Sequence, residues 1–219
     1  MRNSSTLTTT LCLVGALLLA ACQPAQDKGR SAPTGIAAKA MSEAQKGLGE
    51  ASKELRQART EIDAAREKLA NENLSLNRND KRHLPKAEIT PAGELLIEGK
   101  AVATDPEQKT LVLAYRAALL DIVNEGMAIG MEGASIGIDA AAMALKGVLA
   151  GQSGDEIGKQ VGAEAKAKLK PRVEQLCGRM PGLLAAQQAL ADKLPEFKPY
   201  ATTDQSDVDE CMDNTEWDF

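Results

Sequence analysis

The sequence predicts a mainly α fold: a long N-terminal heptad helix, a short β-hairpin, then a bundle of helices that includes one striped with Gly and Ala. Three observations carry this. Apolar residues recur at heptad spacing from Met41 to Leu69. A single Gly-punctuated run, residues 87–103, has the composition of short strands and turns. Residues 124–151 repeat small residues at alternating intervals of four and three. Returns at three and four residues mark one helix face, whereas short apolar runs bounded by Gly and Pro mark strands.

The chain opens with Arg2 and a short apolar run over residues 11–21. A basic residue, a brief apolar stretch and small residues form a secretory signal, which is set aside from fold reasoning. Leu19, Ala20, Ala21 and Cys22 resemble the lipobox of bacterial lipoproteins. The resemblance implies that Cys22 is the acylated (palmitate-bearing) first residue of the mature protein. Gln23 follows where an Asp would signal inner-membrane retention, so it implies the outer membrane, facing the periplasm. Each buried CH₂ of an acyl chain adds about 0.8 kcal/mol to anchoring. Residues 22–37 have linker composition, a tether reaching roughly 20 Å.

With Cys12 in the signal and Cys22 acylated, Cys177 and Cys211 remain. An even pair in an oxidising compartment reads as a disulfide. No metal site is expected, because the pair lacks C-x-x-C spacing and the lone histidine, His83, sits in a polar stretch beside Arg82. No cofactor motif is present.

Residues 27–86 carry 13 basic and 9 acidic side chains, and residues 87–219 carry 12 and 22. The acidic balance opposes nucleic-acid binding. So does the scarcity of aromatics to stack bases: Tyr115, Phe197, Tyr200, Trp217 and Phe219 are the full set. That scarcity predicts an aliphatic, Ala-rich core.

The heptad segment spans residues 38–76. Met41, Leu48, Leu55, Ile62 and Leu69 fall at one core position, and Ala44, Ala51, Ala58 and Ala65 at the other. Glu54 with Arg59, and Glu61 with Arg66, stand where charges pair across a parallel coiled coil. A homodimer through residues 41–69 fits, and so does an in-chain partner helix, since Ala stripes admit close backbones. In residues 87–103, Gly93 and Gly99 can supply the positive φ of two tight turns. Residues 104–200 then form a helical domain. Thr104, Pro106 and Glu107 read as its first cap, and Ser153 with Glu156 as a second. Pro171 and Pro181 are expected to divide the later helix into pieces. Residues 201–219 read as an acidic tail pinned by the disulfide.

The run "ITPAGELLIEGKAV", followed by a helix carrying "AYRAALLDI", resembles the YggN-type family of exported proteobacterial proteins of unknown function. The matching residues are Gly93, Leu95, Ile97, Gly99, Tyr115 and Arg116, within residues 87–215. The resemblance implies an envelope protein and no particular reaction.

Gly126, Gly133, Ala140 and Gly147 form one heptad set, and Gly130, Gly137, Ala144 and Gly151 another. Together they make one narrow helix stripe. Glu125, Glu132, Asp139 and Lys146 form a line expected on the opposite, solvated side. Each interior Gly costs about 1 kcal/mol relative to Ala, so close packing along the stripe is expected to offset it. Residues 44–65 and 157–169 are the in-chain candidates for that packing.

No catalytic constellation is found, and the protein is expected not to be an enzyme. The expectation is a lipid-anchored periplasmic binding or scaffold protein, joined to the membrane through Cys22 and to an envelope protein partner. The alternative is a membrane-associated oligomer built on the stripe of residues 126–151. Charges near a bilayer centre cost about 2.5–3.5 kcal/mol each, which opposes a lone transmembrane helix.

Overall fold

The structure, a computed structural model, describes residues 34–76 and 83–213. Cys22, the expected signal, residues 22–33 of the expected tether, and Trp217 and Phe219 lie outside the described residues. The fold is mainly α with a small antiparallel sheet. The chain divides at Ala40 into two units, the first contributing only the opening turns of one helix to the described residues.

Helix α1 spans Thr34–Asn71, so residues 34–37 of the expected tether are helical. It also ends short of residue 76, because Leu74–Ser75 leaves to form strand β1. The alternation of Leu74 and Leu76 suits a strand, and Leu74 pairs with Ile89. Strands β2 (Ala87–Ile89), β3 (Leu95–Ile97) and β4 (Lys100–Ala101) complete a four-stranded antiparallel meander. The hairpin expected over residues 87–103 is strands β2 to β4, and β1 joins it from outside that segment.

Gly93 and Gly99 do take positive φ, at 81° and 73°. Glu98 joins Gly99 in the left-handed region at 48°, giving the two-residue turn between Ile97 and Lys100. Two successive left-handed residues match the twist of a tight hairpin.

Helix α2 runs without a break from Pro106 to Leu149. Its cap is shifted one residue from the expected Thr104: Asp105 accepts from the Gln108 amide at 2.8 Å, and Gln108 accepts from the Asp105 amide at 2.9 Å. Helix α3 spans Gly154–Lys193 and starts on the expected reciprocal cap between Ser153 and Glu156. Those bonds to Ser153 hold the Glu156 carboxyl below its ordinary pKa. Pro171 and Pro181 lie inside this one helix and do not divide it. Both are exposed, so their rings are kept out of the seam with α2, and packing along that seam carries the helix through.

A 3-10 helix follows at Pro195–Tyr200, and helix α4 at Gln205–Asp213. The expected acidic tail is thus partly ordered. Val208 of α4 is buried, and Asp204 accepts from the Asp207 and Ser206 amides at its start. Hydrogen bonds from Ser206 and Asp207 lower the Asp204 pKa.

The core lies at one end, between the sheet, the first turns of α2, the end of α3 and the 3-10 helix. Ala87, Ile89, Leu95, Val112, Leu190, Leu194 and Phe197 are all buried there. It is not purely aliphatic. Tyr115 and Phe197 meet edge to face, ring centroids 5.0 Å apart, a favoured geometry for aromatic pairs. Tyr200 is also buried and donates to the Pro85 carbonyl at 2.9 Å. Few aromatics does not mean few in the core.

Candidate functional site

Away from the core, α2 and α3 form a long antiparallel hairpin closed by Gly151, whose φ is 75°. The residues facing across it are the acids of α2. Asp139 Oδ2 is 3.4 Å from Lys168 Nζ, and Lys168 also meets Glu164 at 2.8 Å. These partners, Glu164 first, raise the Lys168 pKa. Glu125 lies 3.7 Å from Arg172 and 4.0 Å from Arg179, and Asp121 lies 3.5 Å from Arg179. The Glu125 side chain is only 11% exposed.

This corrects the expected orientation of α2 over residues 125–139. Glu125, Glu132 and Asp139 are turned toward neighbouring helices, and the small stripe is turned away. A Cβ added at Gly126, Gly130, Gly133 or Gly137 would meet no atom within 4 Å, and Gly126, Gly130 and Gly137 are exposed. Neither in-chain candidate fills the stripe: Gly158 and Gly162 of α3 also face open space. Ala140 and Ala144 are half-buried. Only Gly147 behaves as expected, since its Cβ would come within 2.7 Å of Ile157 and the Gln152 side chain.

The reason lies further up the same helix. Val112 and Leu119 precede Gly126 and Gly133 at seven-residue spacing, and both belong to the core. The face is covered where the small sheet and 3-10 helix reach it. Those elements end before residue 126, and no described element replaces them.

At the sheet end, α1 is fastened to α2 by Arg116. This side chain is only 7% exposed. Its Nη2 donates to the carbonyls of Leu69, Ala70 and Glu72 at 2.8, 3.0 and 2.9 Å. Among the described residues, no carboxylate neutralises it. The negative end of a helix dipole and unpaired terminal carbonyls take that role. Burial lowers its pKa. The family resemblance singled out Arg116 without a role. Its position one helical turn from Val112 was the available signal, because a cation on a core-facing turn needs buried acceptors.

Farther along, Arg66 Nη1 meets Asp63 at 3.2 Å and Nη2 donates to the Asn124 carbonyl at 3.5 Å. Arg66, assigned by the dimer reading to Glu61 of a second copy, is therefore engaged within its own chain. Beside it, Arg59, Arg66, Arg172 and Glu132 line a pocket of about 270 Å³ shared by three helices. Nearby, Arg66 Nε, Asn124 Oδ1, Glu125 Oε1 and Arg179 Nε are buried without hydrogen-bond partners.

Cys177 and Cys211 are joined, their Cα atoms 5.4 Å apart, which ties α3 to α4. An open groove over this bridge is lined by Val173, Leu176 and Met180, with Asp207 and Glu210. Gln187, buried on α3, holds the incoming strand by a reciprocal pair with Thr203, at 2.7 and 3.1 Å. Among the described residues, no three His, Cys, Asp or Glu side chains converge as a metal site. His83 is exposed.

No family model, curated protein or solved structure matches the chain.

Proposed function

We propose that the protein is a lipid-anchored periplasmic scaffold that acts by binding another envelope protein, with Cys22 as its membrane attachment. The observation that carries this reading is the open, uncharged face of α2 through Gly126, Gly130 and Gly137. Interior glycines weaken a helix by about 1 kcal/mol each, and among the described residues none packs on Gly126, Gly130 or Gly137 to recover that cost. A partner backbone approaching closely would recover it. The lipobox-like Cys22 and the YggN-type resemblance support the envelope address.

A photocrosslinking side chain at Gly130, introduced in growing cells and read by mass spectrometry, tests the reading. Recovery of one reproducible envelope protein is expected. Protein that stays monomeric and uncrosslinked through several growth states would overturn it.

A second reading, a membrane-associated oligomer on the same stripe, is favoured by one observation. Helix α2 is long and apolar enough, by length and composition, to cross a membrane, and little of its apolar stretch is buried. Small stripes are also a packing surface between membrane helices. Cys22→Ser behind a cleavable signal separates the two: the scaffold is released as soluble protein, whereas the oligomer stays in the membrane fraction.

A further inference from the structure

The pocket between α1, α2 and α3 holds two opposite charges that do not pair. Arg59 of α1 and Glu132 of α2 line the same space, yet neither forms an ion pair with any described residue. Arg172 of α3 adds a second cation, held to Glu125 only at 3.7 Å, too long for a hydrogen bond. Arg66 is already committed to Asp63. The cationic side is thus Arg59, without an ion pair among the described residues, with Arg172, whose contact to Glu125 is long, and the anionic side is Glu132. Ile62 and Met131 supply an apolar wall beside them. At about 270 Å³ the pocket falls below the roughly 300–1,000 Å³ of sites for drug-sized ligands. It suits a compact molecule.

We propose that this pocket binds a small zwitterion, with an oxyanion held by Arg59 and Arg172 and an ammonium, a few bonds away, held by Glu132. A simple anion would use the guanidinium groups and face repulsion from Glu132. A simple cation would face the reverse. Only a ligand carrying both charges completes both sides, and guanidinium groups match oxyanion geometry well. Because its walls come from three helices, a bound ligand also ties α1 to the α2–α3 hairpin. Ligand that binds only the folded form raises stability by mass action.

The chemistry is shared by a zwitterionic lipid headgroup and by a free zwitterion. Calorimetric titration of the purified full chain uses phosphorylethanolamine, with inorganic phosphate and ethanolamine as half-ligands. Saturable binding of phosphorylethanolamine, at least about tenfold tighter than either half, is expected. Glu132→Gln should weaken phosphorylethanolamine about tenfold or more while leaving phosphate binding equal or tighter, and Arg59→Gln should weaken both. Arg59 is exposed, so its substitution leaves the fold intact. Absence of saturable binding, or phosphorylethanolamine binding unmoved by Glu132→Gln, overturns the proposal. Sedimentation of the Cys22→Ser protein with phosphatidylethanolamine or phosphatidylglycerol vesicles then separates the sources. Preference for phosphatidylethanolamine identifies a headgroup, and binding of the soluble zwitterion without vesicle binding identifies a free ligand.

Discussion

Replacing Arg116 with Met keeps most of the side-chain length and removes the guanidinium that fastens α1 to α2. Three carbonyls, those of Leu69, Ala70 and Glu72, lose their donor at once. Hydrogen bonds from a charged donor contribute about 1.5–3 kcal/mol each. One Nη2 has only two hydrogens to share among the three, so two bonds' worth is the upper limit, about 3–6 kcal/mol. Two effects reduce this. The buried cation carries a desolvation cost, which Met relieves, and water can reach carbonyls at a helix end. A net loss of about 2–3 kcal/mol follows. Apart from the longer contact between Arg66 and Asn124, Arg116 makes the α1–α2 hydrogen bonds among the described residues. The loss should therefore be local. Urea denaturation gives the magnitude, and hydrogen exchange gives its place: amides of residues 59–71 should exchange faster while those of residues 112–122 stay protected. Arg116→Lys, which keeps charge but not the planar fork, should fall between. A loss under about 0.5 kcal/mol, or faster exchange spread evenly over α2 and α3, would show that Arg116 does not hold α1.

Gly137→Ala should stabilise the purified monomer by up to about 1 kcal/mol by thermal melting, because the new methyl meets nothing. Gly147→Ala should destabilise it, since Ile157 stands 2.7 Å from the new Cβ, and equal effects at the two sites would refute the assigned orientation of α2. Cys177→Ser opens a loop of 34 residues, for a loss of at most about 4 kcal/mol in the chain-entropy account. Comparing melts of the variant and the chemically reduced protein checks this, and identical melts for the oxidised and reduced protein would count against it. Burial raises the Tyr115 pKa from 10.0 to about 12. Its folded pKa lies above its unfolded one, so this contribution is intact below pH 10.0 and is lost as pH rises toward about 12. Tyrosinate absorbance followed with helicity should show Tyr115 ionising together with unfolding, and Tyr115→Phe should remove that portion of the alkaline loss.

Much of the fold was legible because it is local. Reciprocal caps, two left-handed glycines and long apolar periods depend on neighbours within a few residues, and each appears near its expected place. The departures share a cause. Thr104 and Asp105 are both able to cap, and contacts of Gln108 with the end of α3 favour the second: its Nε2 donates to the Lys193 carbonyl at 2.7 Å. Pro171 and Pro181 should have broken α3 on local grounds, and the seam with α2 overrides them. Leu74–Ser75 is too short to announce a strand without Ile89 opposite it. Arg59, Glu132 and Arg172 are separated by tens of residues, so only the packing of three helices reveals their pocket.

The sequence by itself determined that the Gly/Ala-striped segment of residues 126–149 is helical, and which residues share each of its faces, because helical spacing depends on local geometry alone. It did not determine how that helix is rotated about its axis. A stripe of glycines and a line of acids are equally regular, and either could have turned inward. Only the tertiary structure decided it. Val112, Tyr115 and Arg116 commit one end of α2 to the core, and Arg172, Arg179 and Lys168 of α3 draw the acids of the rest toward themselves. Gly126, Gly130 and Gly137 are left facing outward.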